Sequence, residues 1–467
     1  MVPAPRNDSI GIDFGTTNSS VALARADGSV ALVRFPALAG GTESFRSVLY
    51  LEEVRAAGRR QVKSFTGLAA IAEYLGAGGG ESGGERLQGR LIQSLKSYLA
   101  SRSLTGTEVF GRRYTLEDMI SRMLTDLRLG AEAAFGVPIR EAVVGRPVRF
   151  VGAETETDGE FALGRLREAF LRAGFERVEF EMEPVGAAYA YEAQGLRDEL
   201  ILIGDFGGGT SDFSMLRVGP VARAARLSHD NTGLVGNAGL GLAGDAFDAR
   251  IVRRLVSPAL GMDSNERDFG GGLNGAKLIP AVPAWIYANL ERWHYLSFLK
   301  TRNVTEILRG ARVRADAPEK VAALQTLIEE DLGYQLHQAV ERLKIALSRQ
   351  EVATFRFNDG SLEIKARVER AEFEEWIADE LEAIAGCVDG LLAACGVRAG
   401  EVDRVFLTGG TSFVPAVRRI FEERFGAEKV QAGGEFTSVA VGLALSALGR
   451  EQATTTTRYS DSSLRPG

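Results

Sequence analysis

Apolar residues alternate with small or polar ones from Ser9 to Ala24: Ile10, Ile12 and Phe14 share one face, and Val21 and Leu23 resume the pattern after a short break. The break reads Asp13-Phe14-Gly15-Thr16-Thr17-Asn18. A closely similar pattern returns at 200–216. There the apolar run Leu200 to Ile203 leads into Asp205-Phe206-Gly207-Gly208-Gly209-Thr210-Ser211-Asp212, and Phe213, Met215 and Leu216 follow. Each stretch predicts two strands joined by a tight glycine-rich turn. The two aspartates are 205 − 13 = 192 positions apart, a spacing of about one lobe, so the repeat points to a chain built from two similar halves.

Between and after these hairpins, strands and helices alternate, which predicts an α/β architecture. Residues 9–35 read as strands, and Gly40-Gly41 as a loop before another strand at Ser47 to Leu51. The glycine-rich stretch Gly76 to Glu85 reads as a mobile surface loop. Thr115-Leu116-Glu117-Asp118 has the form of a capping box ahead of Ile120, Met123, Leu127, Ala131 and Ala134, which recur at helical spacing. Ala142-Val143-Val144 is a buried-strand candidate, and Leu163, Leu166 and Phe170 mark a helix ending near Gly174. Glu183-Pro184 opens a helix of small residues able to pack closely beneath a cleft. Residues 327–350 read as one helix, with Leu336, Val340, Leu343 and Leu347 on one stripe and Glu341, Lys344, Ile345 and Ser348 on another. Val402 to Leu407 predicts a strand running into Thr408-Gly409-Gly410-Thr411 and then a helix from Pro415 to Phe425. Ser438 to Leu448 reads as a last helix, and the polar 451–467 as a disordered tail.

The hairpin turns carry the candidate chemistry. Without Cβ atoms in the way, successive N–H groups can point at an anion. An aspartate beside a phosphate would repel it, and a hydrated Mg²⁺ between them resolves the conflict. Two such hairpins facing each other would clamp one polyphosphate and its metal. Thr408-Gly409-Gly410-Thr411, between a strand and a helix N-terminus, is a seat for a phosphate or nucleoside. Gly239-x-Gly241-x-x-Gly244 is a weak dinucleotide match with no convincing strand before it, and Asp268-Phe269-Gly270-Gly271-Gly272 follows polar residues and reads as a loop.

Composition narrows the class. The chain has 467 residues, enough for two lobes or more. A net charge of −7 argues against an extended nucleic-acid footprint. No run reaches the roughly 18 apolar residues of a membrane helix, and Met1 to Asp8 does not read as a signal peptide, so a cytoplasmic protein is expected. Cys387 and Cys395 fall on one predicted helix, roughly 12 Å apart at about 1.5 Å per residue, too far for a disulfide. His229, His294 and His337 are too scattered for a metal cluster.

From about residue 9 to 450 the chain resembles the nucleotide-binding domain of the 70-kilodalton heat-shock chaperone (DnaK-like) family, with the actin-like ATPase fold. Gly11 to Ser19 is similar to that family's first phosphate motif and Asp205 to Asp212 to its second. Glu183-Pro184 with Ala187-Ala188-Tyr189 resembles its connecting helix. Leu242 to Asp248 resembles its glycine-rich loop, Glu341 to Ser348 its adenosine helix and Thr408 to Pro415 its adenosine loop. The resemblance implies two lobes around a central nucleotide cleft, each a mixed sheet with flanking helices. Lobe I would be 1–196 completed by about 431–450, and lobe II 197–430. It implies a hydrated Mg²⁺ on Asp13, Asp205 and, through water, Glu183, with Asp205 or Thr210 orienting the attacking water. ATP or ADP would contact Gly15, Thr16, Thr17, Asn18, Gly207, Gly208, Gly209, Thr210, Gly244, Asp245, Glu341, Lys344, Ile345, Ser348, Gly409, Gly410, Thr411 and Phe413.

Several positions depart from the family. Its cleft lysine falls at Ile71, its two adenine-covering arginines at Ile345 and Phe413, and an aspartate before the last helix at Phe436. The apolar pair suggests a hydrophobic sandwich for the base, with Phe413 stacking on it. The chain ends where the peptide-binding domain would begin, as in short YegD-type members. The resemblance therefore implies an ATP-binding, slowly ATP-hydrolysing chaperone-family protein without a substrate domain, whose protein partners or co-chaperones are not named by the sequence. The alternatives are a nucleotide-gated scaffold or actin-like assembly protein with little turnover, which Ile71 favours, and less readily a small-molecule kinase.

Overall fold

The computed structural model describes residues 8–37, 40–56, 58–76, 85–192, 197–227, 233–267, 279–292, 299–432 and 439–449. Most of the Gly76 to Glu85 loop, the Asp268 stretch, His229, His294, Phe436 and the tail 451–467 lie outside them. The chain divides into two compact units. One comprises Met1–Gly241, Gly386–Ser412 and Phe421–Gly467, the other Leu242–Ala385 and Phe413–Ile420.

The first unit holds two sheets with the same plan. In one, strand Ser9–Phe14 sits at the centre, antiparallel to Asn18–Ala24, which is in turn antiparallel to Val30–Leu32. On its other side lie two parallel strands, Glu141–Arg146 and Arg177–Met182. In the second, strand Glu199–Phe206 is central, with antiparallel Ser211–Val218 and Leu234–Leu240 to one side and parallel Arg404–Thr408 and Val430–Ala432 to the other. The repeat legible in the two hairpins thus extends to whole sheets. A short strand, Phe45–Arg46, is added to the first sheet alone, against Asn18–Ser19.

Side chains alternate across a strand, so the Asp-Phe pair of each hairpin points two ways. Phe14 turns inward and meets the edge of Phe170. Phe206 turns inward against Phe213 and Phe421. Each aspartate is thereby left on the opposite face, anchored by its buried neighbour. Helix Leu116–Phe135 covers the first sheet and starts at the expected capping box: Thr115 Oγ1 accepts from Asp118 N at 3.1 Å, and Thr115 N donates to Asp118 Oδ2 at 3.0 Å. Ile120, Met123, Leu127 and Ala131 are buried as their spacing predicts, but Ala134, in the last turn, is exposed.

Helix Glu183–Glu192 begins at the expected Glu-Pro, and Pro184 through Ala190 are buried. Its small residues have a use: a Cβ on Gly442, in the helix 439–449, would fall 1.6 Å from Gly186 O. The same last helix lies on strand Ser9–Phe14, where a Cβ on Gly11 would meet Ala440 O at 2.2 Å. A further antiparallel sheet orders Arg59–Thr66, Val48–Ala56 and Glu85–Gln93.

The second unit is mainly helical, with one antiparallel hairpin, Val352–Asn358 with Glu363–Glu369. Three expectations need correction. The glycine pattern at 239–244 does have a strand before it, Leu234–Leu240 of the first unit. Residues 327–350 are not one helix: Pro318–Glu329 ends, Asp331 takes φ of 59°, and Gly333–Arg349 begins afresh, so the apolar period continues across a break in the backbone. In the first unit, Gly40-Gly41 is not a plain loop, since Gly40–Thr42 pairs with Phe35–Ala37.

Candidate phosphate and metal site

The two hairpins are the same structure as well as the same sequence pattern. In the first, Asp13 pairs with Ser20 and Phe14 with Ser19; in the second, Asp205 pairs with Asp212 and Phe206 with Ser211. Each leaves four residues in the turn, Gly15 to Asn18 and Gly207 to Thr210. Gly207 N donates to Thr210 O at 2.9 Å and closes the second turn. Gly15 cannot carry a side chain, because its Cβ would meet Asn18 O at 2.2 Å. Asn18 is exposed, and its Oδ1 accepts from Arg46 Nη1 at 3.0 Å.

The structure gathers Asp13, Glu183 and Asp205 as expected, and adds two residues that the sequence did not single out, Lys96 and Asp212. Burial, then Glu183, then Asp205 push the Asp13 carboxyl up to about 7, with Lys96 acting the other way. Burial and Glu183 raise Asp205 as well, against a hydrogen bond from Thr408. Asp212, bonded to Thr210, is pushed up to about 8 by burial, then Glu183, then Asp205. Lys96 Nζ donates to Glu183 Oε1 at 2.8 Å, both side chains being largely buried. Burial alone would lower the Lys96 pKa, but Glu183, Asp13 and Asp212 outweigh it and the ammonium is held more firmly charged.

Local packing explains how these groups meet. Glu183 is the first residue of its helix, and its Cγ uses the space left by Gly145, whose Cβ would lie 2.9 Å away. Lys96 is delivered by the 3₁₀ turn Leu95–Tyr98, entered through Ser94 at φ of 55°. Leu95 and Leu99 on either side are sunk in the core. At the family's cleft-lysine position, Ile71 lies on helix Gly67–Tyr74 and packs against the cluster of Val48, Tyr50 and Ala70, while the ammonium among the carboxylates is that of Lys96, a different position of the chain.

Four carboxylates thus confront one ammonium. Among the described residues no three acidic, histidine or cysteine side chains are placed to wrap a metal ion directly. The raised carboxyl pKa values nonetheless show an excess of negative charge in a buried place. That donor set fits a hydrated Mg²⁺ held through its waters, which Mg²⁺ sheds reluctantly.

The strand Arg404–Thr408 ends beside Asp205 and turns through Gly409, at φ of 82°. A Cβ on Gly409 would fall 2.0 Å from Phe206 O, so glycine is required on two counts. Gly410 and Thr411 follow in a 3₁₀ turn, and Ser412 Oγ donates back to Gly409 O at 2.6 Å.

The remaining expected nucleotide residues lie in the second unit. Gly244 and Asp245 open helix Gly244–Ile251. Lys344 Nζ lies 2.8 Å from Asp248 Oδ1 in an ion pair and 3.4 Å from Gly244 O, tying helix Gly333–Arg349 to that helix. Ser348 Oγ donates to Ile345 O at 2.7 Å. Glu341 is exposed; Ile345 is 45% exposed and Phe413 55% exposed, so neither apolar side chain is a core residue.

Comparison with known proteins agrees with this arrangement. The family model for Hsp70 protein matches residues 85–262 and 320–453. The chaperone protein DnaK of Thermosipho africanus is 25% identical over 445 residues, covering 94% of this chain and 58% of that protein. The chaperone protein DnaK of Thermotoga petrophila is 25% identical, covering 94% and 59%, and that of Thermosipho melanesiensis 24% identical, covering 94% and 58%. The chain spans about three fifths of the length of these relatives. Among the described residues no helix is long and apolar enough to cross a membrane. The mixed sheets are those of the actin-like ATPase fold, and the chain belongs to the Hsp70 protein family.

Proposed function

We propose that this chain binds MgATP and MgADP and hydrolyses ATP slowly, as a chaperone-family nucleotide switch. The observation that carries the reading is the doubled hairpin, with Asp13 and Asp205 gathered beside Glu183, Asp212 and Lys96. On this reading the two central sheets mark lobe I and lobe II, each supplying one phosphate turn. N–H groups of Gly15 to Asn18 and Gly208 to Thr210 clamp the phosphates, the Gly207 N–H being used to close its turn. Asp13 and Asp205 hold the hydrated Mg²⁺, with Glu183 reaching it through water. Bound Mg²⁺ would neutralise charge developing on the phosphate oxygens.

On this reading Lys96, ion-paired with Glu183, adds a cation beside the carboxylates, while Ile71 still favours the low-turnover alternative. Thr210 and Asp205 orient the attacking water, beside the Asp212 carboxyl that burial, Glu183 and Asp205 push up to about 8. For the base, exposed Ile345 and Phe413 supply apolar walls, and on this reading Glu341, Lys344 and Ser348 of the same helix as Ile345 would contact the nucleoside.

Thermal unfolding in MgATP, MgADP and EDTA tests the reading. At a hundred times Kd, linkage predicts about 2.7 kcal/mol of stabilisation. Absence of any shift at millimolar MgATP would remove the nucleotide assignment. Asp205→Asn should lose Mg²⁺ dependence or single-turnover hydrolysis while keeping the fold, and a variant that hydrolyses like its parent would remove Asp205 from the site.

A further inference from the structure

The two hairpin aspartates stand in different company. In the first sheet, the register Gly11 with Val143 and Ile12 with Val144 brings Gly145 beside Asp13, and the room it leaves is taken by Glu183. In the second sheet the matching position opposite Asp205 is Thr408. Its Oγ1 donates to Asp205 Oδ1 at 2.7 Å. We propose that Thr408 is a positioning residue that locks the Asp205 carboxylate, leaving its second oxygen aimed at the hydrated metal and phosphates. The proposal rests on the nucleotide reading given above.

Three features make the contact a fixed one. Threonine is β-branched, so its side chain has few rotamers on a strand. The strand around it is paired on both sides, to Glu199–Phe206 and Val430–Ala432. Gly409, the next residue, is pressed against Phe206 O and cannot shift without moving the hairpin itself. A hydroxyl held in this way donates to one carboxylate oxygen and favours the ionised form, in a place where burial and Glu183 oppose it. On the matching parallel strand Asp13 has no such donor, because Gly145 has no side chain.

Thr408→Val preserves size and strand preference but removes the donor, and Thr408→Ser keeps the donor. The readout is the ratio of ADP affinity in Mg²⁺ to that in EDTA, measured by calorimetry on the full chain. Thr408→Val should lose about tenfold of that ratio with unchanged affinity in EDTA, in line with the loss of a hydrogen bond to a charged group. Thr408→Ser should retain the parental ratio. If Thr408→Val fails to fold, Thr408→Ala takes its place in the same measurement. A donor-free variant with the parental ratio overturns the proposal. So does one that loses affinity equally in Mg²⁺ and EDTA, which would make Thr408 a packing residue. A parent protein that gains no ADP affinity from Mg²⁺ overturns the nucleotide reading and this inference with it.

Discussion

Asp212→Asn should make the nucleotide-free protein more stable at alkaline pH. The Asp212 carboxyl is pushed from its ordinary 3.8 up to about 8 by burial, Glu183 and Asp205. A carboxyl raised in the folded state favours folding fully below its unfolded pKa, and that stability is lost as pH rises through the folded one. The loss therefore accumulates between about pH 4 and pH 8. Some four units at 1.36 kcal/mol each set a ceiling of about 5–6 kcal/mol. The carboxylates titrate together, so one residue accounts for only part, about 2–3 kcal/mol. Asparagine keeps the shape, which matters because a Cβ on Gly239 would lie only 2.8 Å from Asp212 Oδ1 and leaves little slack. At pH 8 in EDTA the variant should unfold roughly 2–3 °C above its parent, and at pH 5 the gap should nearly close. Thermal or urea unfolding at pH 5, 6.5 and 8 reads this directly. No gain at pH 8, or an equal gain at pH 5, would refute the idea that uncompensated charge strains this site.

Lys96→Met should do the reverse. Removing one partner of a buried pair strands the other, at a cost of about 3 kcal/mol at pH 8 and less at pH 6, where the carboxyls take up protons; denaturant unfolding checks this, and Lys96→Met with Glu183→Gln should recover most of the loss. Phe413→Ala should cost the fold little, since the ring is 55% exposed, yet weaken ATP binding about tenfold or more by removing a base stack. Phe413→Arg should largely restore affinity through cation–π stacking, and an alanine variant that binds ATP unchanged would show that the ring does not touch the base.

What was legible in the sequence was local or repeated. Strand alternation around Asp13 and Asp205, the capping box at Thr115 and the Glu183-Pro184 helix start all emerge from residues within a few positions of each other. The helix break at Asp331 was hidden because the apolar period of Leu324, Leu327 and Leu336 reads as nearly continuous, while one positive φ interrupts the backbone. Lys96 was hidden for a different reason. Its neighbours Ser94 to Tyr98 show no motif, and its partner Glu183 is 87 positions away. Only the packing of Leu95 and Leu99 into the core decides where the ammonium goes. The family's lysine position holds Ile71, which packs in an apolar cluster, so no motif pointed to an ammonium at Lys96.

The positions where the two halves differ carry information that neither half carries alone. Adding 192 takes Asp13 to Asp205, Phe14 to Phe206 and Ser19 to Ser211, and these pairs hold the same register in both hairpins. It also takes Ser20 to Asp212, where the match fails. Beside the aspartates, Gly145 in one sheet stands where Thr408 stands in the other. A symmetric site would place two equivalent carboxylates on a ligand that is itself asymmetric, with a nucleoside at one end and a terminal phosphate at the other. Gly145 admits Glu183, and with it Lys96, to the neighbourhood of Asp13; Thr408 fixes Asp205; and Asp212 adds a carboxyl able to hold a proton near neutral pH. On the proposed reading the shared scaffold sets the spacing of the two phosphate turns, and the departures from it make the carboxylates unlike one another: one paired with an ammonium, one bonded to a threonine hydroxyl and one pushed up to about 8.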